Sequence, residues 1–359
     1  MSAFDSTSGL PTCISSTSRP KNRSDDLRAS VRDRISWRPF FAGSPSVSRD
    51  AHGGAEFRLD PLTRKWVAVT AARQKRPNLP TANCPFCVGG VEAPDVYVVK
   101  AFTNRWPPLE PGDPLELPDD PSAHIFARGA AEVVLYSPDH DASLSTLDDE
   151  ALLRVVDLWA ERTAELLARP EIEYVLVFEN RGAEVGATIP HPHGQIYAFP
   201  FAPPVAAREA EVAAEHGCPI CSEAARALGD NDRVIERNDS LIAFAHPAPA
   251  WPFEVLIAPL EHVSDLPSLS AKSRADLAAL LRGVLARYDG LFERQLPYMF
   301  WIHPGVHLHI HVVTPFRAAD AIRFVAAGEL GSGVMFNPVA PESAAQLLRA
   351  AGSRTEQAA

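Results

Sequence analysis

The chain repeats itself, and that repeat limits its fold more tightly than any single motif. The first copy runs Cys84-Pro85-Phe86-Cys87, then Glu132-Val133-Val134-Leu135 and His140. A helical stretch follows, then an apolar run from Tyr174 to Phe178, then His191-Pro192-His193. The second copy runs Cys218-Pro219-Ile220-Cys221, then Glu254-Val255-Leu256-Ile257 and His262. It too continues through a helical stretch, into Tyr298 to Ile302 and His307-Leu308-His309-Ile310-His311. The interval from Glu to His is the same in both (132 to 140, 254 to 262). Leu152, Val155, Val156, Trp159 and Leu166 mark the first helix, at spacings that gather them on one face. Leu277, Leu280, Leu281, Val284, Leu285 and Tyr288 mark the second in the same way. Ser145 with Asp148 is placed to form a capping box for the first helix. The pattern predicts an α+β fold of two tandem repeats, antiparallel sheets flanked by helices, joined as one two-lobed body.

The repeats divide the chain into residues 51–205 and 206–359. Residues 1–50, rich in Ser, Arg and Asp with little apolar periodicity, read as a disordered extension. Their Asp residues argue against a transit peptide. The folded part is expected to begin near Phe57, with Lys65 to Val69 as an early strand. The run from Gly328 to Gly333 reads as a turn rather than a phosphate loop, followed by a helix over Glu342 to Arg349.

The net charge of −11, with no basic run, disfavours a nucleic acid partner. No apolar run approaches the ~18 residues that a membrane span needs. Cys13 stands alone and the other four cysteines form two Cys-x-x-Cys pairs. A long, cysteine-poor chain of this kind reads as cytoplasmic, with metal ligands or redox pairs rather than structural disulfides.

An isolated Cys-x-x-Cys is equally a redox pair or two buried thiols. Two copies, each followed by histidines at matching positions, favour structural zinc. The first set is Cys84, Cys87, His140 and His191; the second is Cys218, Cys221, His262 and His307. On a strand, residues i and i+2 share a face, so His191, His193 and Gln195 are expected side by side. With His191 committed to metal, His193 is left as a nucleophile toward phosphorus, since an imidazole nitrogen attacks without a base. Gln195 donates a neutral hydrogen bond and suits a phosphoryl oxygen without acid–base work.

Phe178-Glu179-Asn180-Arg181-Gly182-Ala183, followed by Pro190 to Ile196, resembles the active-site signature of the galactose-1-phosphate uridylyltransferases, a tandem-repeat branch of the histidine-triad superfamily. Asp60 to Thr63, Arg73 to Pro77, Ser137 to His140, Trp251 to Glu254 and His307 to His311 extend the likeness over most of residues 57 to 350. The resemblance implies two histidine-triad-like repeats and a ping-pong transfer. His193 would take UMP from UDP-glucose and pass it to galactose 1-phosphate, as in the Leloir pathway. It implies that Asn180 and Thr188 line the phosphate path, and that Arg73, Arg76 and Asn104 hold nucleotide or sugar phosphate. Arg323 and Glu329 match positions near the sugar, reached across a homodimer interface in family members. Glu209, His303, His309 and His311 match a second metal set of some members, for zinc or iron. The present chain also carries Cys218 and Cys221, and the repeat favours zinc on the cysteine set. The segment from His303 to His307 is shorter than is common in the family, a departure that bears on the sugar pocket. Gly328 to Pro338 resembles a sister group that phosphorolyses ADP-glucose, whereas Gly194 favours the uridylyltransferases. A non-catalytic zinc scaffold has no use for His193 and Gln195. A histidine-triad hydrolase would use the three-His form, which stands in the second copy without the glycine.

Overall fold

The computed structural model describes residues 55–71, 83–292 and 294–358. The extension assigned to residues 1–50, and Arg73 and Arg76, lie outside the described residues. A small sheet opens the described chain. It holds β1 (Glu56–Leu59), β2 (Trp66–Val69) and β4 (His124–Phe126) in the order β2-β1-β4.

The main body is a nine-stranded sheet whose ladders are all antiparallel. The first half supplies β3 (Lys100–Thr103), β5 (Ala130–Leu135), β6 (Tyr174–Arg181) and β7 (His193–Phe199). The second supplies β8 (Val234–Arg237), β9 (Leu241–Ala245), β10 (Val255–Pro259), β11 (Tyr298–His303) and β12 (His309–Val313). The order is β3-β5-β7-β6-β11-β12-β10-β9-β8. Read from each edge toward the middle, the halves follow the same scheme and meet at β6 and β11. That ladder runs from Tyr298↔Arg181 to Ile302↔Val177. The expected two lobes therefore share one sheet.

Alternation along the strands separates two faces. One is covered by α1 (Asp149–Leu167) and α4 (Ala271–Leu291). All the residues read from periodicity as their apolar faces are buried. Trp159 lies between Tyr136 of the first repeat and Phe300 of the second, with ring centroids 5.6 Å from each. Each such side chain removed from water contributes about 1.5–3 kcal/mol. The N-cap of α1 differs from the expectation: Asp148 accepts from the Ala151 N–H at 2.7 Å, while Ser145 Oγ donates instead to Asp289 at 2.7 Å. The N-cap of α4 is Ser270, accepting from the Ser273 N–H at 3.0 Å.

On the other face lie α2 (Pro204–His216), α3 (Pro219–Asp230) and the loop carrying Cys84 and Cys87. The chain ends through β13 (Phe316–Ala318), β14 (Ala321–Ile322), α5 (Ala327–Ser332) and α6 (Pro341–Ala358). The glycine run expected to be a turn is thus helical at α5. Glu329 explains this: its carboxylate accepts the Ala326 N–H at 2.9 Å and the Phe336 N–H at 2.9 Å, capping the short helix and drawing the next segment back toward it.

Candidate active site and metal centres

His193 begins β7, and His191 stands two residues before it in a bend. The three-residue row expected on one strand face is therefore broken. His193 and Gln195 share the face opposite α1 and α4, whereas His191 turns aside, 1% exposed, to the cysteine knuckle. Its Nδ1 lies 3.6 Å from Cys87 Sγ, and the Nδ1 of His140 lies 3.4 Å from the same sulfur. These separations also match the ligand-to-ligand edges of a tetrahedral zinc site. Zn–S near 2.3 Å and Zn–N near 2.05 Å at tetrahedral angles give an edge of about 3.5 Å. Cys84, Cys87, His140 and His191 hold their donor atoms within 4.8 Å of one another. The ring of His191 is oriented from behind: Nε2 is 2.8 Å from the Ser137 carbonyl and 2.9 Å from Tyr97 Oη. Burial holds the His191 imidazole below its ordinary value, so it is neutral, as a ligand must be. Gly90 is needed here because a side chain would meet the Cys84 and Pro85 carbonyls at 2.6 and 2.5 Å.

The second knuckle repeats this construction. Cys218 Sγ and Cys221 Sγ each stand 3.4 Å from His307 Nδ1, and Cys221 Sγ stands 3.3 Å from His262 Nδ1. His307 Nε2 faces the Pro259 carbonyl at 3.1 Å, as His191 faces Ser137. Burial, then the neighbouring His262, lowers His307 to about 4.

A third group forms from residues that the sequence offered as the alternative second metal set. The β11–β12 register puts His303 opposite His309 and Trp301 opposite His311, on the same face as His193. Helix α2 brings Glu209 to them, 2.9 Å from His303 Nδ1 and 3.7 Å from His309 Nε2. Burial pushes the Glu209 carboxyl up, but the hydrogen bonds and charge of His303 and His309 outweigh it and hold it well below the carboxylate range. His311 Nδ1 pairs with Glu254 Oε1 at 2.9 Å, leaving Nε2 toward the group. The donor atoms lie within 4.8 Å of one another. This group shares no residue with the second knuckle. Among the described residues, the fold gathers the donor atoms of both sets.

The equal Glu-to-His intervals do not mean equal roles. Val134 pairs with Gly194 and Ile257 with Ile310, so the strands align one residue out of step with the sequence repeat. A slip of one reverses the face. Glu132 turns to the helices and pairs with Arg162 at 2.7 Å, whereas Glu254 turns to His311.

At the start of β7, His193 Nδ1 lies 2.7 Å from the His191 carbonyl. A carbonyl only accepts, so Nδ1 carries the proton and Nε2 the lone pair. Phe86, inside the first knuckle, packs its ring 5.1 Å from that of His193, so the metal loop also walls the imidazole. His193, His191, Asn180 and Ser143 border one cleft, together with Ala187 and Ile189 on either side of Thr188. Gln195 Oε1 is buried and accepts no hydrogen bond among the described residues, an orphaned polar end on the face of His193. Gly194 points the other way. A side chain there would run into the Tyr136 hydroxyl and stand 3.0 Å from the Phe178 carbonyl.

Asn104 is buried, its Oδ1 accepting the Trp106 N–H at 2.9 Å. Arg323 and Glu329 are bonded to each other and buried, with Arg323 also stacked 4.9 Å over Trp251. Arg323 Nη1 has no partner among the described residues. Sequence reasoning missed Phe86 and Tyr97. The apolar residue between the cysteines was a signal for the first; Tyr97, on a loop, left none.

A duplicated α+β fold, with a tautomer-fixed histidine on one copy and a Glu/His cluster at the same strand position on the other, is the frame of a group-transfer enzyme of the tandem-repeat type. Residues 46–203 match the galactose-1-phosphate uridyl transferase N-terminal domain, and residues 208–356 match its C-terminal domain. The chain belongs to the galactose-1-phosphate uridylyltransferase family. The galactose-1-phosphate uridylyltransferase of Thermotoga maritima is 37% identical over 312 residues, covering 82% of this chain and 98% of that protein. A solved uridylyltransferase structure superposes with a TM-score of 0.74 at 29% identity, covering 84% of this chain and 99% of the other. An ADP-glucose phosphorylase from Arabidopsis thaliana, solved with ADP-glucose, gives 0.62 at 26% identity, over 82% and 99%.

Proposed function

We propose that the protein transfers the uridylyl group from UDP-glucose to galactose 1-phosphate, acting twice through His193. Nε2 attacks the α-phosphorus, a P–N bond forms, and the bond to the β-phosphate oxygen breaks, releasing glucose 1-phosphate. An oxygen of galactose 1-phosphate then attacks the same phosphorus. The P–N bond breaks, the lone pair returns to Nε2, and UDP-galactose leaves. The observation that carries this reading is the Nδ1 bond to the His191 carbonyl, which fixes the nucleophilic nitrogen without a separate base. Gln195 is assigned to the phosphoryl oxygens; a flip of its amide would present the NH₂ where Oε1 is orphaned. Asn180 and Thr188 are assigned to the phosphate path. Arg73, Arg76 and Asn104 are assigned to the nucleotide and sugar phosphates. Arg323 and Glu329 are assigned to the sugar side, across a homodimer in the cytoplasm.

Product analysis tests the donor. UDP-glucose with galactose 1-phosphate is expected to yield UDP-galactose, whereas ADP-glucose with phosphate is expected to give no ADP. The reverse would make the protein an ADP-glucose phosphorylase, a reading favoured by its likeness to the Arabidopsis enzyme.

Zinc is assigned to both cysteine knuckles, whose thiolate and imidazole donors and ~3.5 Å edges suit it. Zinc or iron is assigned to Glu209, His303, His309 and His311, a donor set without sulfur. Each is a closed set of four with a structural task. Elemental analysis is expected to find more than two metal equivalents per chain. Cys218→Ser should remove one zinc and leave the metal of the Glu209 group in place. Loss of both together would show that the two groups hold a single ion.

A further inference from the structure

Beneath the reacting strand, on the helix-covered face, lies a carboxyl that the transfer chemistry does not use. Glu179 stands on β6 and is 4% exposed. Its Oε1 accepts from Tyr298 Oη at 3.0 Å. Its Oε2 is buried without a hydrogen-bond partner of good geometry among the described residues, and so are Tyr136 Oη and Trp159 Nε1 nearby. Three orphaned polar atoms in one packed layer would cost about 1–3 kcal/mol each. A native core does not leave such groups unmade without reason.

Arg181 does not supply the missing charge. Its guanidinium is spent on Asp289 and the Leu296 carbonyl, and it lies 4.3 Å over the Tyr298 ring. The groups facing Glu179 are thus Tyr136 from the end of β5, Tyr298 from β11 and Arg181 on its own strand, the last neutralised by Asp289 from α4. Burial pushes the Glu179 carboxyl up to about 8, against the opposing charge of Arg181 and the hydrogen bonds of Tyr298 and Tyr136. Both phenols are raised by burial far above their ordinary value and stay protonated.

Tyr136 joins this layer to the site. Its hydroxyl occupies the space a side chain on Gly194 would take, directly under the peptides between His193 and Gln195. We propose that Glu179 is a positioning residue held as a neutral carboxylic acid, its proton shared with the Tyr136 phenol beneath Gly194, so that β7 stays seated with His193 and Gln195 toward the substrate phosphates. In this state Glu179 Oε2–H donates to Tyr136 Oη, which also accepts from Trp159 Nε1–H, so the orphaned atoms on either side of the phenol are both satisfied. Loss of the proton reverses this bond, with Tyr136 Oη–H donating to Oε2, and places an anion one sheet-thickness below two anionic phosphates.

The proposal rests on the uridylyl-transfer reading, and its test separates the two. In wild type, kcat at saturating substrates is expected to fall about tenfold per pH unit above ~8, the slope of one essential ionisation. Glu179→Gln mimics the neutral acid. It should keep kcat within about threefold at neutral pH and flatten the alkaline limb. The same limb in the variant, or none in the wild type, would overturn the idea.

A second measurement needs no activity. The folded chain keeps this proton between ~4.5 and ~8, where the unfolded chain has lost it, so the carboxyl subtracts stability progressively as pH rises through that window. Glu179→Gln lacks that loss, so its unfolding midpoint should gain on wild type steadily from pH ~5 to ~8. A constant difference would count against a neutral acid. Should the variant not fold, the wild type alone decides: its infrared spectrum at neutral pH must show a buried protonated carboxyl. Absence of that band sinks the proposal even if UDP-galactose forms.

Discussion

His193→Ala is expected to lower uridylyl transfer by at least ~10⁴-fold, because it removes the atom that holds the intermediate rather than one that assists it. The structure explains why no neighbour takes over. His191, two residues away, has Nδ1 turned to the Cys87 sulfur and Nε2 to the Ser137 carbonyl. His309, at the corresponding position of the second repeat, makes the same Nδ1 contact, with the His307 carbonyl at 2.8 Å, but points Nε2 at Glu209. UDP-glucose labelled in the α-phosphate should leave label on the wild-type chain. That label should survive denaturation in base and be lost in acid, as a phosphoramidate is. His193→Ala should carry none. Equal label on both proteins would remove His193 from the mechanism.

The second large effect is on folding. Cys84→Ser breaks a set that gathers three separate segments: the knuckle loop, the stretch after β5 at His140, and the bend before β7 at His191. Structural zinc sites contribute on the order of 10 kcal/mol of apparent binding energy to the folded state, comparable with the whole stability of a domain. The variant is expected to lose most of its soluble yield and its first zinc. The fraction that folds should retain more activity than yield, since the task assigned to the set is structural. Chelator-induced unfolding of the wild type, followed by circular dichroism with metal release, checks the same coupling. A Cys84→Ser protein that folds at wild-type yield with full zinc would show that the knuckle is not a metal site. Phe86 sets the limit of this separation. Its ring packs on His193, so disorder in the knuckle also loosens the nucleophile.

Much of this was legible in the sequence because the relevant forces are local. The apolar stripes of α1 and α4 follow from helical periodicity, and every residue named on them is buried. The cysteine knuckles follow from chelate spacing and their repetition. Other features are set by pairings between distant residues. Glu132 and Glu254 look equivalent in sequence, yet a one-residue slip in strand pairing sends one to Arg162 and the other to His311. Glu329 sits in a glycine-rich run that reads as a turn, and becomes helical because its carboxylate collects two backbone N–H groups and Arg323. His191 reads as a member of a strand face, and it instead stands in a bend against the cysteine knuckle.

By itself the sequence determined the duplication and the two helix stripes, and it singled out the candidate ligands and the candidate nucleophile. Each depends on residue type and short spacing. Tertiary structure alone decided that the repeats share one sheet through β6 and β11. It alone brought Glu209 from α2 to three histidines of the second repeat, without taking His307 from its knuckle. Those outcomes depend on strand register and on which face each strand presents. Register is a property of pairs of segments far apart in the chain, and neither segment carries it alone.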